Sequence, residues 1–144
     1  MQTFIVDEDL RRSASLLDRI RLGNQRLEAI WIAQILVGIN ANSRWKNHPA
    51  VRMWRGYESY LIWEYLVVHM VEWAKRGYKN TRCVEYLAEL GYLTLDKPPG
   101  PMPCWIDDNF IEAHRSNLIR KKEEFYAPLF PQTKRGLAYI WPVS

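Results

Sequence analysis

Arg52 and Arg55 stand three residues apart, so on a helix they share a face, and His48 lies one turn earlier. Asn47 is a good N-cap and Pro49 suits a first turn, which puts the imidazole and both guanidiniums where unpaired backbone N–H groups already favour an anion. Trp54 and Tyr57 add stacking surfaces beside the cations. The same residues could equally be the solvated start of a core helix. A second cluster surrounds Gly23-Asn24, where Arg19, Arg21 and Arg26 are followed by Glu28. It reads either as a structural ion-pair network or as phosphate ligands with a general acid/base beside them. A third cluster, His114, Arg115, Ser116 and Arg120, falls in the run EAHRSNLIRKKEEFY. A lone histidine in such a run is more often a satisfied structural group than a catalyst.

No glycine-rich phosphate loop, paired-cysteine motif, His-Glu zinc helix or nucleophile elbow occurs. His48, His69 and His114 lack metal spacing, so neither a metal nor a cofactor is expected. Cations for phosphates, rings for stacking and a carboxylate for sugar or base suit a phosphate-linked base as ligand.

The elements that must position these groups read as helices. From Val51 to Gly77 apolar residues recur at helical spacing: Val51, Trp54, Leu61, Tyr65 and Val68 form a stripe, widened by Ile62, Leu66, Met70 and Trp73. A continuous helix from Asn47 to Gly77 is therefore expected through the middle of the fold. Before it, Met1 to Val6 reads as extended, and Asp7-Glu8-Asp9 caps a helix to about Leu17. Gly23-Asn24 interrupts the next pattern, and a second helix follows to about Gly38. Residues 39–46 form a polar loop. Thr81 caps a helix to about Leu90, residues 92–106 form a proline-rich loop, and Asp107 or Asp108 opens a helix to about Lys122. Tyr139, Ile140, Trp141 and Pro142 are apolar enough that the tail should pack back onto the helices.

At 144 residues and 48% hydrophobic the chain suits one core, and the expectation is all-α with no convincing strand. The net charge of +4 is modest, but residues 44–82 carry eight lysines and arginines against three acids, which permits a polyanion-binding face. Cys83 and Cys104 fit a reduced cytosolic protein. No signal peptide is apparent, and Glu64, His69 and Glu72 interrupt the longest apolar run, so no membrane span is expected.

Taken in order, LDRIRLGNQRLEA, NHPAVRMWRGYE, WAKRGYKNT, HRSNLIRK and YIWP resemble the pyrimidine-dimer DNA glycosylase family of endonuclease V-like proteins, closest to a bacterial and phage branch. The likeness spans nearly the whole chain. It implies a compact single-domain helical bundle of the endonuclease V-like type over residues 1–144, with the N-terminus among helices facing DNA. Such proteins flip a nucleotide, attack the sugar C1′ with the N-terminal α-amine and cleave through a Schiff base. A carboxylate assists, and arginines hold phosphates.

Transferred to this sequence, the bulky Gln2 retains Met1, so the implied nucleophile is the Met1 amine. Arg26 matches a family arginine. An ungapped alignment sets Gly23 at the family's glutamate, and Glu28 is the nearest replacement. The contacts to substrate would fall to Arg19, Arg21, Arg26, His48, Arg52, Arg55, His114, Arg115, Ser116 and Arg120. The implied activity is a DNA glycosylase/AP lyase acting on damaged or modified pyrimidines, as a monomer in the cytoplasm of a bacterial or phage-infected cell. The alternatives are a non-catalytic nucleotide or modified-base binding module on the same scaffold, and an enzyme of free nucleotides, since +4 is small for a strong duplex binder.

Overall fold

Asp9 opens the first helix, its carboxylate accepting the Arg11 N–H at 3.0 Å, and α1 (Leu10–Ser15) follows. The computed structural model describes residues 1–94 and 100–143. Among these the chain is all helical, with no strand. The remaining helices are α2 (Arg19–Leu36), α3 (Pro49–Arg52), α4, α5 (Thr81–Thr94), α6 (Asp108–Lys121) and α7 (Glu123–Leu129). Helix α4 runs as Glu58–Tyr60, a π-helical stretch Leu61–Leu66, and Val67–Lys75. It packs across α2, and α2 also meets α5.

The expected interruption at Gly23-Asn24 does not occur. A β-carbon at Gly23 would lie 3.1 Å from the Trp73 ring, so the missing side chain here admits an aromatic neighbour and the helix continues unbroken. The opposite happens in the expected long helix. Gly56 adopts φ +90°, and the chain turns there between α3 and α4. The cap of α3 is His48, not Asn47: its Nδ1 accepts the Ala50 N–H at 3.0 Å.

Most of the apolar stripe is core, with Val51, Trp54, Leu61, Ile62, Tyr65 and Leu66 all essentially inaccessible, while Val68 and Trp73 are half-buried. Each large apolar side chain so buried contributes about 1.5–3 kcal/mol. Helix α5 continues beyond Gly91 to Thr94. Of the proline-rich loop, 95–99 lie outside the described residues. The tail packs back through Tyr139, Trp141 and Pro142, whereas Ile140 stays exposed. Cys83 is buried, Cys104 is exposed, and both are free thiols. No helix among the described residues is long and apolar enough to cross a membrane.

Candidate active site

An extended segment buried without a sheet must find other partners for its backbone. Residues 2–6 find them in side chains. The Gln2 N–H donates to Glu28 Oε2 (3.3 Å), Thr3 to Gln2 Oε1 (2.9 Å) and Phe4 to Gln25 Oε1 (2.8 Å). The Ile5 N–H donates to His114 Nδ1 (3.0 Å) and that of Val6 to Ser13 Oγ (2.9 Å). On the carbonyl side, Arg115 Nε donates to Val6 O at 2.7 Å and the Tyr65 hydroxyl lies 3.0 Å from Phe4 O. Trp54 Nε1–H donates to the Thr3 hydroxyl. Five successive backbone N–H groups are thus held by side chains, and the extended segment ends at Met1 in a recess of about 310 Å³.

That recess is built largely from one face of α2. Arg21, Asn24, Gln25 and Glu28 follow the i, i+3, i+4, i+7 spacing and line it together with Met1. Lys121 at the end of α6 and the rings of Tyr139 and Trp141 complete the wall. Burial raises the Glu28 carboxyl above the ordinary carboxylate range. The Gln2 N–H, the Met1 ammonium, the Gln25 amide and Lys121 oppose this in decreasing order. A carboxyl so placed can hold a proton and release it, with an amine close enough to feel its charge. His48 lies beside the recess. Its imidazole meets Trp141 edge-on at 5.7 Å, and its pKa is lowered by burial and then by the Met1 ammonium.

Arg21 and Glu28 therefore stand together with Met1, and Arg120 joins them at the rim through Tyr139. Arg120 also donates to Asn117 Oδ1 at 2.8 Å. Arg19 is exposed, two residues before Arg21, and does not line the recess. Arg52 and Arg55 line a separate, open cleft of about 530 Å³ with Asn47, Tyr57 and Trp105, and His48 is not part of its lining. Trp54, expected as a stacking surface there, is fully buried, and Trp105 supplies the second ring instead. Arg26 is 8% exposed, donates to Asn80 Oδ1 (2.8 Å) and Cys83 Sγ (3.1 Å), and sits 4.2 Å from the Trp73 ring centre. It shares the Gly23 face of α2 and does not line the Met1 recess. His114 is wholly buried, with its pKa lowered to about 3 by desolvation. Ser116 Oγ accepts the Leu137 N–H, which ties the tail to α6.

Asn24, Gln25, Lys121, Tyr139 and Trp141 are lining residues the sequence reading did not single out. For the first two the signal is the polar i, i+3, i+4, i+7 stripe ending at Glu28. For the last two only the apolarity of the tail points to a packed role. No group of three His, Cys, Asp or Glu among the described residues could hold a metal ion.

The fold is thus all-α, with a buried extended N-terminal segment that ends beside the Glu28 carboxylate. The family model for pyrimidine dimer DNA glycosylase matches residues 1–86, more than half of the chain, and the protein belongs to that family. The match contains Met1, Glu28, Arg52 and Arg55, whereas Trp105, Lys121, Tyr139 and Trp141 come from beyond it. No curated protein and no solved structure shows significant similarity to the chain.

Proposed function

We propose that the protein is a monomeric DNA glycosylase/AP lyase acting on damaged or modified pyrimidines, with the Met1 amine as nucleophile and Glu28 as acid/base. The observation that carries this is the shared recess: a terminal amine and a carboxyl whose pKa is raised by burial, in a member of a pyrimidine dimer glycosylase family.

The amine attacks C1′ as the glycosidic bond breaks and the base leaves with its electron pair. Protonated Glu28 supplies the proton that neutralises the departing base or the ring oxygen as the sugar opens to the imine. The resulting Glu28 carboxylate takes a proton from C2′, and elimination breaks the bond from C3′ to the phosphate oxygen. Water then releases the imine. Tyr139 and Trp141 offer faces for an extruded base, and Arg21, Lys121 and Arg120 offer charge to the flanking phosphates. Arg52 and Arg55, in the second cleft, extend the phosphate track.

Borohydride reduction tests this directly. Incubation with DNA containing an abasic site should trap a covalent adduct that mass spectrometry maps to Met1, and acetylating the terminus should abolish it. An adduct on Lys121, which lines the same recess, would retain the chemistry but overturn the choice of nucleophile. No adduct on any damaged or abasic DNA, with nucleotide binding retained, would make the protein a binding module.

A further inference from the structure

Four buried side-chain atoms have no hydrogen-bond partner among the described residues: Gln2 Nε2, Arg26 Nε, His69 Nε2 and His114 Nε2. Of these residues only Gln2 lines the Met1 recess, and it is 7% exposed. Its Oε1 accepts the Thr3 N–H at 2.9 Å, which leaves the NH2 end of the same amide with two donors and nothing to receive them. A buried donor in that state carries its full desolvation cost. The Thr3 bond accounts for the oxygen of the amide and for none of its nitrogen.

Met1 and Glu28 line the same recess, where on the glycosylase reading they meet C1′ of a nucleotide. In a pyrimidine nucleotide C1′ is bonded to N1, and the C2 carbonyl is attached to that nitrogen. When the C1′–N1 bond breaks, the electron pair left on N1 spreads onto O2. A hydrogen bond to O2 therefore strengthens as the bond breaks, which is the condition for lowering a barrier. A purine offers no such group, because neither ring carbon flanking its glycosidic nitrogen carries a carbonyl. Met1 is only half-buried and is the lining residue next to Gln2, so a base entering the recess displaces Met1 before it meets the amide.

We propose that the Gln2 side-chain amide donates to the C2 carbonyl of the departing pyrimidine, stabilising the leaving group and selecting pyrimidines over purines. This rests on the glycosylase reading of the recess and adds to it the group that meets the base. Gln2 keeps both amide protons. The base departs with the N1 electron pair, and its proton comes from Glu28 or from water.

Gln2→Met keeps the length of the side chain and removes the donors. On duplex DNA carrying a cis–syn thymine dimer it should lower base excision about a hundredfold relative to strand cleavage at a preformed abasic site, where no base departs. A merely structural Gln2 would lower both alike, and an equal fall overturns the proposal. A second measurement depends neither on the variant folding nor on the dimer being the lesion. It uses the 15N-labelled wild-type protein bound to a duplex with a tetrahydrofuran abasic analogue. Free thymine at millimolar concentration should shift the Gln2 side-chain NH2 signals, whereas toluene, a methylated ring with no acceptor, should leave them in place. Signals that thymine does not move, or that toluene moves equally, overturn the assignment. Signals moved by thymine alone, with no Met1 adduct on any DNA, would instead refute the lyase reading and leave Gln2 as a donor to the base carbonyl.

Discussion

The two clefts flanking the C-terminal tail differ in a way that size does not capture. Trp141 walls the Met1 recess, and Pro142 and Val143 wall the cleft of Arg52 and Arg55. The arginine cleft is the larger, at about 530 against 310 Å³, yet among the described residues no Asp or Glu lines it. The smaller one has a carboxyl with a raised pKa and an amine that acts on it. Binding a polyanion needs only cations and rings, whereas moving a proton needs a group whose charge is held in balance by burial. On the proposed function, chemistry falls to the recess and attachment to the open cleft.

The largest effect that could break this division is Glu28→Gln. The amide keeps an oxygen for the Gln2 N–H, so the melting temperature should barely move, while turnover on abasic DNA should fall by about 10²–10⁴-fold. A variant with unchanged turnover would remove the chemical distinction between the clefts.

Acid should undo the recess through its scaffold. His114 has a pKa of about 3 and His69 of about 4 in the fold, both depressed by burial, against roughly 6.5 in an unfolded chain. The unfolded chain therefore binds more protons between these limits, so stability is full above about pH 6.5 and falls as pH drops towards the folded values. Once protonated, His114 can no longer accept the Ile5 N–H. His114→Asn, which keeps an acceptor, should reduce the pH slope of stability by about one proton, measured from denaturation across pH 4–6.5. An unchanged slope would remove His114 from this account.

Arg26 separates a buried cation from one that binds ligand. Arg26→Ala should cost roughly 1–3 kcal/mol of stability, because Asn80, Cys83 and Trp73 lose their shared partner. Arg52→Ala and Arg55→Ala should leave turnover at saturation intact and reduce the log–log salt slope of DNA binding by about one unit per lost contact. If Arg26→Ala changes the salt slope and not the stability, the assignments are reversed.

Much of this was legible beforehand. Glu28 and Arg21 stand out by residue type, and the helical nature of the chain follows from periodicity, because the apolar face of a helix is written every three or four residues. The bends were less so. Glycine at 56 breaks a helix and glycine at 23 does not, and the difference lies in a neighbour: Trp73 fills the space at Gly23, while Gly56 turns in the open with φ +90°. Nothing in the local sequence separates the two.

The sequence by itself determined the all-α architecture, the core stripe of the central segment and the stock of cations, rings and carboxylate available for chemistry. Tertiary structure decided which of them meet. Met1 reaches Glu28 because Ser13, Gln25, Glu28 and His114, residues up to 109 positions from their partners, satisfy an extended segment that has no sheet. A backbone donor constrains its partner only by geometry, and any side chain with an acceptor could serve, so such pairings leave no periodic trace in the chain. Arg26 and Arg21, five residues apart on one helix, were equivalent in sequence. The packing of Trp73 against one face of α2 and of the extended N-terminal segment against another made one a buried support and the other part of the candidate site.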